Sequence, residues 1–257
     1  MADKGSPTRM KAVFDPTGWF FVPEPRPSAS VRLFCFSYAG GWPWAFRAWP
    51  TMLPDDVELY AICLPGRGRR ANELAPDSID ALVTALGSVM TPLCGKPYAL
   101  FGHSFGAIVA FELAGELERQ GNSRPRHVFV SGCAPPGTHA VRPPLHTLPD
   151  DDLVAVIRSW TTTPNPALAD PGVLAATVPL VRADLRLAEL HRSRIVTLAS
   201  PLTAFFGSED DSAPRDAVAE WQVHAGGPFA LRGIAGDHFF LHTHTVELLA
   251  AVYQGLT

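Results

Sequence analysis

A serine with glycine two residues away on either side, Gly102-His103-Ser104-Phe105-Gly106, is the stretch of this chain whose residue types speak most directly of chemistry. A serine hydroxyl attacks an acyl carbon when a base takes its proton, an acid orients that base, and donors stabilise the oxyanion that forms. Glycine is common, so the five-residue pattern is a weak signal by itself. Its setting strengthens it. Tyr98-Ala99-Leu100-Phe101 before it is a short apolar β-type run, and Ala107 to Ala114 after it is good helix material that ends near Gly121. A serine in such a strand-to-helix turn takes a strained backbone conformation that pushes its hydroxyl outward. Glycine two residues away leaves room for the close approach of the chain.

Candidate partners follow downstream. Pro201-Leu202-Thr203-Ala204-Phe205-Phe206 reads as a buried strand closed by Gly207-Ser208-Glu209-Asp210-Asp211. An acid just past a strand end lies on the same rim of a parallel sheet as the serine turn. Asp210 is favoured over Asp211, Glu209 and Asp237, being the third residue after Gly207. Phe229 to Ile234 reads as a further strand, and the loop after it, Ala235-Gly236-Asp237-His238-Phe239-Phe240, offers His238 as the base. Serine, acid, histidine is the chain order of α/β-hydrolases. His103 adjoins the serine on a tight turn, where neighbours point apart, so it supports the turn. His242 and His244 follow His238 at helical spacing, but no third ligand in a recognisable zinc setting accompanies them, and they are read as polar positions on the terminal helix. For the oxyanion, backbone N–H donors are expected from Phe105, next after the serine, and from Ala39 in Ser37-Tyr38-Ala39-Gly40-Gly41.

To gather these groups on one rim the chain must form a parallel sheet, and strands do alternate with helices. Residues 19–22 read as an edge strand and the Pro-rich 23–27 as a loop. Strand 31–36 precedes a helix near 44–53, strand 57–62 precedes the loop Leu64-Pro65-Gly66-Arg67-Gly68-Arg69-Arg70, and Asp77 or Ser78 caps a helix running to about Met90. The serine strand, its helix and strand 127–132 follow. The alternation predicts an α/β-hydrolase fold, a mostly parallel sheet with helices on both faces, as a single domain over 1–257. Between 137 and 200 the strand pattern stops. Leu148–Trp160 and about Val173–His191 read as helices with Pro-rich breaks at 143–144 and 164–166, a helical lid insertion.

Composition narrows the class. The chain has 257 residues, 47% of them hydrophobic, enough for a substantial core. A formal net charge of −4 gives no reason to expect a nucleic-acid partner. Met1-Ala2-Asp3-Lys4-Gly5-Ser6 lacks the apolar core of a signal peptide. Residues 98–115 are apolar, but Gly102, His103, Ser104, Gly106 and Glu112 interrupt them, so strand, turn and helix are expected rather than a membrane span. Cys35, Cys63, Cys94 and Cys133 lack C-x-x-C spacing and fit reduced thiols in a cytoplasmic protein, expected to be a monomer without metal or cofactor.

Five ordered motifs resemble one family, the stand-alone (type II) thioesterases of polyketide and nonribosomal peptide biosynthesis. Phe36-Ser37-Tyr38-Ala39-Gly40-Gly41 is similar to that family's F-P-H-A-G-G, and Leu64 to Arg70 to its L-P-G-R-E-x-R. Gly102 to Ala107 resembles G-H-S-M-G-A, Leu180-Val181-Arg182-Ala183-Asp184 the lid motif P-x-L-R-A-D, and Gly236-Asp237-His238-Phe239-Phe240 the motif G-x-H-F-F. The resemblance spans about residues 32–240. It implies Ser104, Asp210 and His238 as a catalytic triad, no cofactor, and an acyl or peptidyl carrier protein bearing phosphopantetheine as the partner. It also implies an editing role that removes stalled or aberrant acyl groups, and sometimes product release. Terminal thioesterases built into synthase chains usually carry their acid at the end of the strand after the serine helix. That place here reads Ser131-Gly132, which favours the stand-alone type. Asp77-Ser78-Ile79 superficially resembles a carrier's attachment site, but the preceding glycine is missing and helix capping explains it better.

Departures from the motifs bear on the substrate. Ser37-Tyr38 stand for Pro-His, Phe105 for Met, Gly68 for an acid, and Trp42-Pro43-Trp44 follow the glycines where smaller residues are usual. Trp42 is expected to face the acyl chamber and to favour short acyl units, whereas Trp44, at a helical onset, is read as a packing residue. Arg67, Arg69 and Arg70 are read first as a solvated or paired turn and second as a docking patch for an acidic carrier. Two other functions fit the same residues: a carboxylesterase or acyltransferase using the triad, and a non-catalytic binding protein on a hydrolase scaffold.

Overall fold

In the computed structural model, residues 11–121, 124–138, 143–162, 170–193 and 197–257 are described. The N-terminal Met1–Ser6 stretch and the Pro-rich break at 164–166 lie outside them. Strands β1 (Val13–Phe14), β2 (Phe20–Val22), β3 (Val31–Phe36), β4 (Val57–Ile62), β5 (Tyr98–His103), β6 (His127–Ser131), β7 (Leu202–Gly207) and β8 (Phe229–Ile234) form one sheet in the order β1-β2-β4-β3-β5-β6-β7-β8. β1 and β2 run antiparallel to their neighbours, and every pair from β4 through β8 is parallel. Strands of a parallel sheet covered on both faces read as apolar runs, and Leu33-Phe34-Cys35-Phe36 and Ala99-Leu100-Phe101 are fully buried in this way.

Helices cover both faces. Against one lie α1 (Ile79–Met90) and α2 (Phe105–Arg119), which bury Leu82, Leu86, Val109 and Leu113 on Phe34, Leu100 and Val130. The other receives Phe46, Trp49 and the terminal helix α7 (Thr245–Leu256), through Leu248 and Val252, on Leu33, Phe101 and Phe129. Ser78 caps α1, its Oγ accepting from the Ala81 N–H at 3.1 Å. Between β6 and β7 come α3 (Asp150–Ser159) and α4 (Pro171–Leu190), the latter capped by Asp170, whose Oδ1 accepts from the N–H groups of Gly172 and Val173. Short helices α5 (Arg215–Ala219) and α6 (Phe240–Thr243) follow β7 and β8.

Register decides where the chemistry sits. Phe36 lies opposite Gly102, His103 opposite Ser131 and Gly207 opposite Ile234. The loops after β3, β5, β6, β7 and β8 therefore leave the sheet at one rim, the usual place for a site in such folds.

Three expectations change. The helix near 44–53 is two single 3₁₀ turns, Pro43–Phe46 and Trp49–Thr51, because Pro50 cannot occupy a helix interior. Residues 20–22 are one strand in from the sheet edge, since β1 pairs outside them, Val13 with Val22. His242 lies in α6 and His244 is the residue before α7, so neither is on the terminal helix.

Candidate active site

Ser104 occupies a conformation that its neighbours impose. Its φ is 55° and its ψ −121°, the one positive φ of a non-glycine among the described residues. Such a backbone stores roughly 1–3 kcal/mol and persists where the surroundings over-determine it. The constraint is visible on both sides. A Cβ on Gly102 would fall 2.0 Å from the carbonyl oxygen of Gly106, and a Cβ on Gly106 would fall 2.2 Å from that of Phe36. The Ser104 N–H donates to the Ser131 carbonyl at 2.7 Å and its carbonyl accepts from Ala107 at 2.9 Å, so the turn is held between β6 and α2.

The histidine and the acid meet. His238 Nδ1 donates to Asp210 Oδ2 at 2.8 Å, with both side chains buried. Asp210 Oδ1 accepts from the Ser212 hydroxyl at 2.6 Å and from the N–H groups of Ser212 and Ala213 at 3.0 and 3.2 Å. Burial raises the Asp210 carboxyl, but the His238 and Ser212 hydrogen bonds outweigh it and hold the group below the ordinary carboxylate value. Asp211 and Glu209 are both exposed. Asp237, buried, faces another way: its Oδ2 accepts from the Thr162 N–H at 2.7 Å and the Thr161 hydroxyl at 3.0 Å, tying the exit of α3 to the histidine loop.

His103 joins the serine strand to that loop. Burial, then the nearby His238 and His242, push its pKa well below the usual imidazole value, so it is neutral. Its Nε2 donates to the His238 carbonyl at 2.8 Å, which leaves Nδ1 to accept from the Ser131 hydroxyl at 2.9 Å. The imidazole of His238 is thus gripped through Nδ1 by the acid and through its own backbone by the residue before Ser104. Trp160, at the end of α3, brings its ring to 5.6 Å from that of His238.

The N–H groups of Ala39 and Phe105 have no acceptor among the described residues. For Phe105 this follows from its place at the first position of α2, where helix donors are unpaired. Ala39 precedes Gly40, whose φ of 70° turns the loop. The Gly40 N–H donates to Asp184 Oδ2 at 2.8 Å, and Arg67 completes the arrangement, one nitrogen donating to the Gly41 carbonyl at 2.9 Å and another to Asp184 Oδ1 at 2.8 Å. Burial pushes the Asp184 carboxyl up, against the pull of the Arg67 guanidinium and the Gly40 N–H.

The arginines of the Pro-Gly loop divide accordingly. Arg67 is 2% exposed, and Arg70 lies 3.3 Å over the Trp19 ring while pairing with Glu73. Both are paired structural groups, and only Arg69 is exposed, beside the Phe14 ring at 5.3 Å. Trp42 is half-buried and stacks on Trp44, centroids 6.4 Å apart, and Trp44 packs edge-on against Phe21 and Phe14. Trp44 is 41% exposed, so it lies over β1 and β2 rather than within the core.

Sequence reasoning missed Ser212, the Asp237 clamp and the joining of Arg67 to Asp184. Asp184 and Arg67 each need a partner if buried. Asp184 is the one acid between Val178 and Leu187, but Arg182 and Arg186 lie nearer to it in sequence and Arg69 and Arg70 stand beside Arg67, so nothing in the sequence singled out the pair.

The sheet order, the strained serine and the histidine–acid pair at its rim define an α/β-hydrolase. Residues 31–254 match the thioesterase domain family, and the chain belongs to that family. A thioesterase of Streptomyces venezuelae, PikA5, is 36% identical over 90% of this chain and 82% of its own length. Among solved structures, the RedJ thioesterase of the prodiginine biosynthetic pathway in Streptomyces coelicolor superposes with a TM-score of 0.84 at 37% identity, covering 90% of this chain and 92% of that one. The type II thioesterase BorB of the borrelidin biosynthetic cluster gives 0.84 at 31% identity, covering 93% and 98%. The chain is a thioester hydrolase and groups with the type II thioesterases. Among the described residues no helix is long and apolar enough to cross a membrane.

Proposed function

We propose that the chain hydrolyses acyl groups from the phosphopantetheine arm of acyl or peptidyl carrier proteins in polyketide or nonribosomal peptide biosynthesis, with Ser104 as nucleophile, His238 as base and Asp210 as its orienting acid. The observation that carries this reading is the buried 2.8 Å Asp210–His238 bond on the rim beside the strained Ser104. His238, its Nδ1 committed to Asp210, takes the Ser104 proton at Nε2 as the serine oxygen bonds to the thioester carbon. Backbone N–H groups of Ala39 and Phe105 stabilise the oxyanion. Collapse breaks the carbon–sulfur bond, and the thiol leaves with the proton from His238. Water, deprotonated by the same imidazole, then cleaves the serine ester, and Ser104 recovers its proton as the free acid departs.

In this reading residues 1–257 act as one cytoplasmic domain, and the α3–α4 insertion over 137–200 is a lid. Removal of stalled or aberrant acyl units is the expected task, with product release as a second use. Trp42, next to the glycine pair that carries Ala39, is proposed to limit acyl length. The test is a comparison of kcat/KM for one acyl group on a carrier protein, on coenzyme A and on a simple oxygen ester, with acyl length varied in wild type and Trp42→Ala. Preference for the carrier substrate, and activity extended to medium chains only in the variant, is the expected result. A preference for the oxygen ester would favour the carboxylesterase reading. Uniform loss across lengths with a lower Tm would make Trp42 structural.

A further inference from the structure

Among the polar groups buried away from the histidine and acid, Arg67 and Asp184 mark a junction close to the site. Three segments far apart in sequence meet there: the loop after β3, the loop after β4 and the middle of α4. Arg67 and Asp184, 117 residues apart, lie 2.8 Å from each other with 2% and 4% of their side chains exposed. Asp184 spends its hydrogen bonds away from its own helix, and Arg67 makes one long contact within its own loop, Nε to the Pro65 carbonyl at 3.4 Å, while its terminal nitrogens reach outside it. Asp184 Oδ2 receives the Gly40 N–H at 2.8 Å, and Arg67 donates to the Gly41 carbonyl at 2.9 Å. The pair therefore grips both sides of the Gly40–Gly41 peptide, next to Ala39.

The packing around it is equally close. A Cβ on Gly40 would fall 2.3 Å from Val181 Cγ2, and one on Gly66 would fall 2.9 Å from Leu180 Cδ2. Residues 180, 181 and 184 of one α4 face thus sit directly on the two loops. Gly40 also needs its φ of 70°, so a side chain there would be strained as well as crowded.

We propose that Arg67 and Asp184 are positioning residues for the oxyanion hole, aiming the Ala39 N–H by clamping the next two residues to α4, so that the donor is set only while α4 is seated. The inference rests on the reading of Ala39 as an oxyanion donor. Its physical reason is that a donor contributes to rate only when it is already oriented before charge develops. A turn whose two following residues are bonded to a buried ion pair has little freedom to rotate that N–H away. A role confined to stability would instead lower Tm and leave the folded enzyme's kcat intact.

The experiment compares wild type with Asp184→Asn and with the double variant Arg67→Met/Asp184→Leu, which leaves no unpaired charge buried and so keeps the fold testable. Two readouts are taken: amide hydrogen exchange over residues 38–41, and kcat and KM on one acyl thioester. The expected result is faster exchange at 38–41 in both variants, with the interior of α2 exchanging as in wild type. kcat should be lower by about 10-fold or more, approaching the 10²–10³ of a deleted donor, with KM within about threefold. Wild-type exchange, or a wild-type kcat in a variant with the loosened loop, overturns the proposal. If wild type itself hydrolyses no thioester, the functional reading fails, and the exchange measurement still decides whether the pair clamps the loop.

Discussion

Two buried pairs of side chains stand at the same rim of the sheet, both closed at 2.8 Å, and they differ in what they hold. Asp210 and His238 lie on loops after adjacent parallel strands, β7 and β8, and the pair orients an imidazole. Arg67 and Asp184 lie on the loop after β4 and on a helix inserted between β6 and β7, and the pair fixes backbone. Asp210 accepts from a hydroxyl and two N–H groups besides the imidazole, which keep its carboxyl low. Asp184 has one guanidinium and one N–H against almost complete burial, which pushes its carboxyl up. The first pair is built to keep a charge ready, the second to hold two elements together. Losing half of the first should lower activity most, and losing half of the second should lower stability most.

The largest expected separation is in activity. Asp210→Asn should lower kcat by on the order of 10⁴, as loss of the orienting acid does in serine proteases, with little change in Tm, while Asp211→Asn should be mild. A severe Asp211→Asn and a mild Asp210→Asn would move the acid to Asp211. Next comes stability. Arg67→Met leaves the Asp184 carboxylate buried without its counter-charge, a loss of about 3–5 kcal/mol, which thermal unfolding should register as a Tm lower by on the order of 10 °C. A Tm equal to wild type would show that this pair does not hold the elements together.

Smaller still is the effect of His127, a part-buried imidazole that bonds a hydroxyl rather than a carboxylate and so contrasts with both pairs. It bonds Thr203 Oγ1 at 2.8 Å and stacks on Phe129 at 4.2 Å. Burial, helped by the charge of Arg232 and opposed by a backbone bond at Gly255, lowers its pKa to about 4. Between that value and the ordinary 6.5 or so, the unfolded chain binds the proton and the folded chain does not. Stability should therefore fall as pH drops through this window. His127→Gln should show a shallower decline of Tm from about pH 6.5 to about 4, and an unchanged slope would mean that His127 does not set the acid sensitivity.

The same contrast explains what was legible in the chain. The first pair was readable because in a parallel sheet chain order fixes place: Asp210 follows Gly207 at one strand end, and His238 lies in the loop after the next strand. Ser104 was readable because glycines at 102 and 106 are required by contacts near 2 Å, a local demand that leaves a local mark. The Arg67–Asp184 pair was not legible, because no rule of strand order says where an inserted helix will dock. Both residues stand within motifs that resemble the family's, yet nothing in their spacing joins them. The helix near 44–53 failed for a simpler reason, apolar content outweighing Pro43 and Pro50, whose missing N–H groups allow only single turns. Ser212 and the Asp237 clamp were invisible because each is a hydrogen bond made by a loop whose path the sequence pattern does not set.

Everything proposed for the site turns on Ser104, activated by His238, taking the acyl group. The most direct test is to mix the enzyme with an acyl thioester, quench during turnover and map the acylated peptide by mass spectrometry. An acyl ester on Ser104 is expected, absent from Ser104→Ala, which should also lose hydrolysis. Steady hydrolysis by Ser104→Ala, or an acyl adduct on another residue of the wild-type enzyme with Ser104 unmodified, would contradict it.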